Sequence, residues 1–432
     1  MTFWRLYDIL LICFRQKPDC GQKPEIYKNN ENGEQHRPVT VSGRTVFRNI
    51  SFNTNVSRHI SFRGKYAFFL GRFMDKNTVL YKNKTAKRKQ RYLLLLLAAF
   101  SAVSVCVCIA SGASNLGINA FFRVLTGTGS ESEKLIIMNI RLPRVLSAVA
   151  AGAGLSLSGC IMQKVLGNPM ASPSTLGVSN GAVFGANAAI ILFGAGTVGG
   201  AVKAAVTFSN PYIVTMCAFL SAFSGILVIL LLSVKKRFSS ETVVLCGVAI
   251  GSFFSAGTTL LQYFSADTQV SSAVFWSFGD LGRASAKESA VMLAAAAAVM
   301  IFAIIVSRDL DILSSGDETA ASLGINTALL RFFSLLSASV VCAICVSFLG
   351  IIGFVGLIAP QAARRFLGEE MSVLAPGSAF CGITLLALSD AAARSIIPGV
   401  SLPVGAVTSV IGGPVFLYIL LRSKKGGLNR AA

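Results

Sequence analysis

Charge is scarce in this sequence. Only 13% of its 432 residues are Asp, Glu, Lys or Arg, whereas 53% are hydrophobic. An ordinary soluble domain carries roughly 25% charged residues, so there is too little polar surface here to cover a water-facing globule. Histidine is nearly missing, with His36 and His59 alone and none beyond them. That removes the usual base of a nucleophile triad from most of the chain. No GxxxxGK[ST] loop occurs, which excludes the common way of holding and splitting ATP. Cysteine is not scarce, at ten residues, but it forms no ligand set. Cys342 and Cys345 have the CxxC spacing inside an apolar helix, with no second pair nearby, whereas a zinc site needs about four N or S ligands. They read as small polarizable fillers, so no metal site, cofactor or catalytic residue is expected.

What the chain has instead is apolar runs. About 20 apolar residues at about 1.5 Å per residue span a hydrocarbon core of about 30 Å, and such runs recur from residue 92 onward. The pattern predicts an all-α, polytopic membrane protein with about ten transmembrane helices. They are expected near 93–111, 143–163, 176–193, 211–234, 243–264, 289–306, 333–358, 359–367 (short, not fully spanning), 374–393 and 402–421. With both termini inside, the inner segments from residue 82 onward hold 18 Lys and Arg and the outer ones 8, in keeping with the positive-inside rule. The net charge of +20 is therefore a membrane-flanking charge, and nucleic acid is excluded as a partner. The helices are rich in Gly, Ala and Ser, which lets backbones approach closely in lipid.

Residues 1–73 differ from the rest, being polar and turn-rich between Gln16 and Gly43. The apolar stretch Thr2 to Phe14 is too short to span a bilayer and lacks the layout of a secretory signal. The expected organisation is a poorly structured extension over 1–73, a basic cytoplasmic lead-in over 74–92, a transmembrane domain over 93–422 and a cytoplasmic tail over 423–432.

Three familiar patterns fail on context. Gly194 to Gly199 matches GxGxxG but follows a membrane helix and lacks a βαβ unit. Gly177-Val-Ser179-Asn-Gly181 matches GxSxG without a histidine to serve it. Asp309-Leu-Asp311 lacks the later ligands and the glycine of a calcium loop. Polar elements at the helix ends carry more. Arg141-Leu-Pro143-Arg144 opens the second segment on the outside, and Asp390 and Arg394 share one helix face at the outer end of the ninth. Such arginines either snorkel to the interface or hold incoming carboxylates in their planar forks. On the inner side Asn168-Pro169-Met170-Ala-Ser-Pro173 interrupts two apolar helices with two prolines, either as a simple helix–helix turn or with a role that the residues alone leave open. Gly316-Asp317-Glu318-Thr-Ala-Ala321-Ser-Leu323-Gly324 is a short capped helix, either a plain surface helix or a contact for a soluble partner. No isolated charge lies mid-segment, where ion-coupled carriers accept one to bind Na⁺ or H⁺; the driving energy is expected from outside the chain.

At these residues the sequence resembles the permease family of bacterial ABC importers for iron–siderophores, haem and cobalamin, the FecCD/BtuC type. The match runs from about Arg91 to Arg422. Its blocks are Arg141–Arg144, Ser158-Gly-Cys-Ile-Met-Gln163, Asn168 to Gly181, Gly316 to Gly324, Gly353-Phe-Val-Gly-Leu-Ile-Ala-Pro360 and Leu402-Pro-Val-Gly-Ala-Val-Thr408. The resemblance implies a homodimer or close heterodimer in the bacterial cytoplasmic membrane, two ABC ATPase subunits below and a periplasmic or lipid-anchored substrate-binding protein above. It implies docking of that protein by Arg141, Arg144 and Arg394. It further implies ATPase coupling through Gly316, Asp317, Glu318, Ala321, Leu323 and Gly324, and a cytoplasmic gate at Asn168, Met170, Ser239 and Ser240. The implied cargo is an iron chelate of siderophore type, with cobalamin or haem as alternatives and an ion-coupled carrier as a distant one. One departure is Gln361, where many relatives have histidine after the proline.

Met74 precedes a run typical of the lead-in to a first membrane helix and is expected to be the start of translation. Mass spectrometry of the purified protein should find N-terminal peptides beginning at or just after Met74 and none from residues 1–73.

Overall fold

The computed structural model describes residues 87–112, 118–198, 206–208, 210–235, 240–397 and 400–427. The N-terminal extension, the start of the lead-in and the last five residues lie outside the described residues. So does Ser239, and of Ser240 only its place at the start of a helix is described.

Each expected segment holds a helix. The first, α1, is Lys87–Ala110, starting within the basic lead-in. After a short helix α2, Ile118–Leu125, comes the rod α3, Glu131–Val165. Ser130 opens it with a capping box, accepting from the Glu133 N–H at 3.2 Å while Glu133 accepts from the Ser130 N–H at 3.1 Å. A π-turn at Ile137–Arg141 precedes Pro143. Proline has no N–H to give the preceding turn and crowds its carbonyl, and one wider turn accommodates that without ending the helix. The next elements are α4, Val178–Leu192, then a two-stranded antiparallel hairpin, β1 Gly196–Val198 and β2 Val206–Phe208. They are followed by α5, Pro211–Lys235, α6, Ser240–Tyr263, and α7, Asp267–Ser277. The second half holds α8, Ala286–Ile305, α9, Ser307–Leu313, α10, Asp317–Ser322, α11, Thr327–Leu349, α12, Val355–Leu367, α13, Met371–Ser395, and α14, Val404–Gly427.

Among the described residues seven helices are long and apolar enough to cross a membrane, and α4 and the apolar part of α14 are shorter. One expectation is corrected. The run 333–358 is not a single helix, because α11 stops at Leu349 and α12 begins only at Val355. Gly350 takes φ 82°, and Phe354 is the one non-glycine among the described residues with positive φ, at 66°. These left-handed conformations break an α-helix. At 13 residues, α12 is about 20 Å long, too short to cross.

The break stays inside protein, as irregular backbone in a membrane must. Three chain segments cross there. Asp280 N–H donates to the Leu349 carbonyl at 3.0 Å, Ile351 N–H to Ser277 at 3.3 Å, and Gly405 N–H to Gly279 at 3.2 Å. Gly279 and Gly405 are needed for this, since a Cβ on either would lie 2.2 or 2.3 Å from the Ile351 carbonyl oxygen.

The core is centred on α3. In its most apolar window 83% of residues are buried, against 17% for α1. Helices α8, α11, α12 and α13 surround it, while α4, α5 and α6 form a second group joined through α11. The backbones nearly touch at two places. A Cβ on Gly382 would lie 2.2 Å from the Gly152 oxygen, and one on Gly159 would lie 1.7 Å from the Gly356 oxygen. Large apolar side chains such as Leu95, Leu231, Leu245, Phe253, Ile305 and Val410 are exposed instead, as lipid-facing residues are.

Gly159→Ala is expected to destabilise the detergent-solubilised protein by about 2 kcal/mol or more, the scale of overpacking. Gly413→Ala, with open space around the added carbon, should be neutral or gain up to about 1 kcal/mol. Chemical or thermal unfolding of the two variants in one detergent checks the contrast.

Candidate functional site

Apart from Ser239 and Ser240, the predicted site residues fall at the two ends of the α3 rod. At one end lie Arg141, Arg144 and Arg394, and the structure does bring them together. Their side chains turn inward, however. Arg141 and Arg144 are 4% and 9% exposed, and Arg144 and Arg394 gather on Asp390, itself 0% exposed. Arg144 Nε donates to Asp390 Oδ1 at 2.7 Å, and Arg394 meets Asp390 Oδ2 at 2.6 Å. Arg144 also reaches Asp280 at 3.1 Å and the Ser401 hydroxyl at 3.1 Å, so one guanidinium joins α3, α13 and two loops. Arg394 and Arg141 cap the end of α1. Arg394 donates to the carbonyls of Ser111 at 2.6 Å and Cys108 at 2.7 Å, and Arg141 to that of Ile109 at 2.8 Å. Cations at a helix C-terminus satisfy its orphan carbonyls and its dipole.

The spacing Asp390/Arg394 made their contact legible, but nothing local marked Arg144 as the second partner of Asp390. Asp280 and Ser401 were also missed. Next to this cluster Arg283 donates to the Trp276 carbonyl at 2.9 Å and lies 5.6 Å from that ring's centre. Burial pushes its guanidinium down to about 10. Farther out, Glu133 accepts a hydrogen bond from Arg123.

At the other end of α3 lie the expected gate and coupling segments. Asn168 folds into a turn, its Oδ1 accepting from the Met170 N–H at 2.9 Å, and Met170 is 46% exposed. The turn is fastened behind. Gln361 Nε2 donates to the Pro169 carbonyl at 2.8 Å and to Gln163 Oε1 at 3.2 Å. The departure noted at Gln361 thus has a local use, tying α12 to the Asn168–Pro173 turn. Above the turn a cavity of about 20 Å³, room for one water, is lined by Ser172, Ser174, Ser179, Phe354 and their neighbours. The GxSxG match has a packing explanation: a Cβ on Gly177 would press on Gly247 and Gly251, and one on Gly181 on Ala222.

The segment Gly316 to Gly324 is a short helix, α10, bounded by Gly316 at φ 117° and Gly324 at φ 83°. Asp317, Glu318, Ala321 and Gly324 are exposed, Leu323 is 62% exposed, and Ala320 alone is buried beneath them. Asp317 grips Arg331 of α11 bidentately at 2.7 and 3.0 Å. Sequence reasoning missed two residues here, Lys164 and Asp311, which pair at 2.9 Å. Lys164 is the only basic residue between the second and third expected segments, the one signal that could have marked it. Cys342 and Cys345 are buried free thiols, and among the described residues no cluster of His, Cys, Asp or Glu could hold a metal ion.

The FecCD transport family matches residues 96–422 of this chain. A Methanocaldococcus jannaschii protein named as an ABC transporter permease is 43% identical, over 80% of this chain and 98% of its own. A Bacillus subtilis protein named as an Fe(3+)-citrate import system permease is 36% identical, over 78% of this chain and 97% of its own. A solved structure described as an inward-facing conformation of a metal-chelate type ABC transporter superposes with a TM-score of 0.65 at 27% identity. It covers 77% of this chain and 99% of the other.

Asp390→Asn leaves two buried guanidiniums without their shared charge and is expected to cost about 3–5 kcal/mol. Asp280→Asn, at the exposed edge, should cost about 1 kcal/mol or less. Thermal unfolding in detergent separates the two.

Proposed function

The chain belongs to the FecCD transport family, whose members are permease subunits of ABC importers, and on that premise we propose that it carries an iron chelate of siderophore type. The chelate passes from a substrate-binding protein, through the bundle, to the cytoplasm. A second permease subunit, identical or closely related, completes the path, and two ATPase subunits drive it from below. Both termini face the cytoplasm in this reading.

The observation that carries the cargo assignment is the similarity to the Fe(3+)-citrate permease over nearly its whole length. The chemistry of α6 is consistent with it. Ser252, Ser255 and Thr259 form an exposed polar stripe along this membrane helix, with Thr259 bonded back to the Ser255 carbonyl at 3.1 Å. An uncharged polar wall lets a bulky solvated chelate pass without trapping it, whereas a fixed charge would hold it.

We assign docking of the binding protein to the end carrying Arg141, Arg144 and Arg394, on the ground that three cations converge there. An incoming carboxylate would compete with Asp390 and with the α1 carbonyls for these guanidiniums. The gate is assigned to Asn168 and Met170 at the opposite end, with Ser239 and Ser240 included on the resemblance alone. The exposed helix α10 provides the seat for an ATPase subunit. ATP binding then moves α10, and the bundle switches between discrete packings because close-packed interfaces are bistable.

The test is uptake of labelled ferric citrate, ferric hydroxamate, ferric catecholate, haem and cobalamin by cells with and without this gene. Loss of one ferric chelate is the expected result. Loss of haem or cobalamin uptake alone would replace the cargo, and no loss of any would overturn the iron assignment.

A further inference from the structure

We infer that Lys164 and Asp311 form a clasp through which movement of α10 reaches the far end of the membrane domain. The inference rests on the proposed role of α10 as the seat of an ATPase subunit, and it names the residues that carry the motion onward.

Asp311 lies on α9, one short turn before α10. Its carboxylate meets two different helices. Oδ1 accepts from Lys164 Nζ of α3 at 2.9 Å, and both oxygens accept from the Met371 N–H, the first residue of α13, at 3.0 and 3.1 Å. A carboxylate at a helix N-terminus satisfies an orphan N–H and the positive end of the dipole. Lys164 is 8% exposed and also donates to the Glu369 carbonyl at 2.8 Å, which fixes the turn that leads into α13. A single acid on the α9–α10 segment is thus bound to the ends of both α3 and α13.

Those two helices are joined along their length. Gly152 and Gly382 bring their backbones into contact midway, and Arg144 of α3 holds Asp390 of α13 at 2.7 Å at the other end. Two helices fastened at both ends and interlocked at the centre shift as one body. A displacement of α9–α10 is therefore delivered to the whole α3–α13 pair, and by it to the arginine cluster where α1 is capped. The Asp317–Arg331 pair ties α10 to α11 in parallel, but α11 ends at the break before Gly350 and makes no ion pair at its far end among the described residues. Lys164 and Asp311 are positioning residues; neither needs to touch cargo or ATP.

The test uses the complete transporter, with its ATPase subunits and binding protein, reconstituted in proteoliposomes, and reads cargo moved per ATP hydrolysed. Lys164→Met should assemble and hydrolyse ATP within about twofold of the unaltered protein, while cargo per ATP falls at least about fivefold, the lower end of coupling energies between sites. Lys164→Arg should restore the ratio, since a merely structural lesion would lower hydrolysis and uptake together. Should Lys164→Met fail to assemble, Asp311→Asn decides, because it keeps an acceptor for the Met371 N–H while removing the ion pair. Unchanged cargo per ATP in whichever variant assembles overturns the clasp. If the unaltered chain transports nothing with ATPase subunits present, the functional reading falls and the clasp with it.

Discussion

Everything in this bundle depends on how closely other helices can approach α3. In lipid there is no hydrophobic gain from bringing two apolar helices together, so association must come from packing and from polar contacts. At Gly152–Gly382 and Gly159–Gly356 the missing side chains let backbone meet backbone, which maximises dispersion contacts along the rod. A helix enclosed in this way can carry polar groups at its ends, because its neighbours are near enough to satisfy them. Arg144, Gln163 and Lys164 all use that proximity.

The ion pairs follow the same logic. A buried charge is tolerable when paired and hydrogen-bonded, and Arg144, Lys164 and Asp390 are, while Arg141 gives its donors to the carbonyls that end α1. Asp390 serves two guanidiniums, and both arginines spend further donors on a helix end or a loop. Such pairs contribute little net stability compared with apolar replacements, but they specify which helix ends belong together. In a bundle of similar Gly- and Ala-rich helices, that specification is what prevents mispairing. The broken backbone between α11 and α12 adds a second kind of specification, since the Leu349 carbonyl and the Ile351 amide find their partners on Asp280 and Ser277, and Gly405 joins the same crossing through Gly279.

The proposed roles fall at these same ends. Exposed polar residues lie at α10 and near the Asn168–Pro173 turn, and apart from them a polar stripe of Ser252, Ser255 and Thr259 runs along α6. The lipid-facing sides are apolar. In the proposed mechanism, drive from one side and loading from the other need a rigid connection between the two, and the α3–α13 pair, joined near Gly152–Gly382 and at Arg144–Asp390, offers one.

The sequence alone determined the membrane setting and the approximate positions of most helices, and it singled out the polar residues at their ends. Hydropathy and helix periodicity are local properties, so runs such as Leu93 to Leu97 and caps such as Ser130/Glu133 are readable in a short window. The Asp390/Arg394 contact was readable for the same reason, four residues being one helical turn. The tertiary structure alone decided that Arg144 joins that pair, that Lys164 holds Asp311, that Gln361 fastens the Pro169 turn, and that the helix expected over 333–358 breaks. Each of these depends on which distant segments lie side by side, and spacing along the chain carries no record of that. Nor could residue type show that the arginines expected to face outward are turned inward, because the choice depends on an acid and a set of helix-end carbonyls that folding brings within reach.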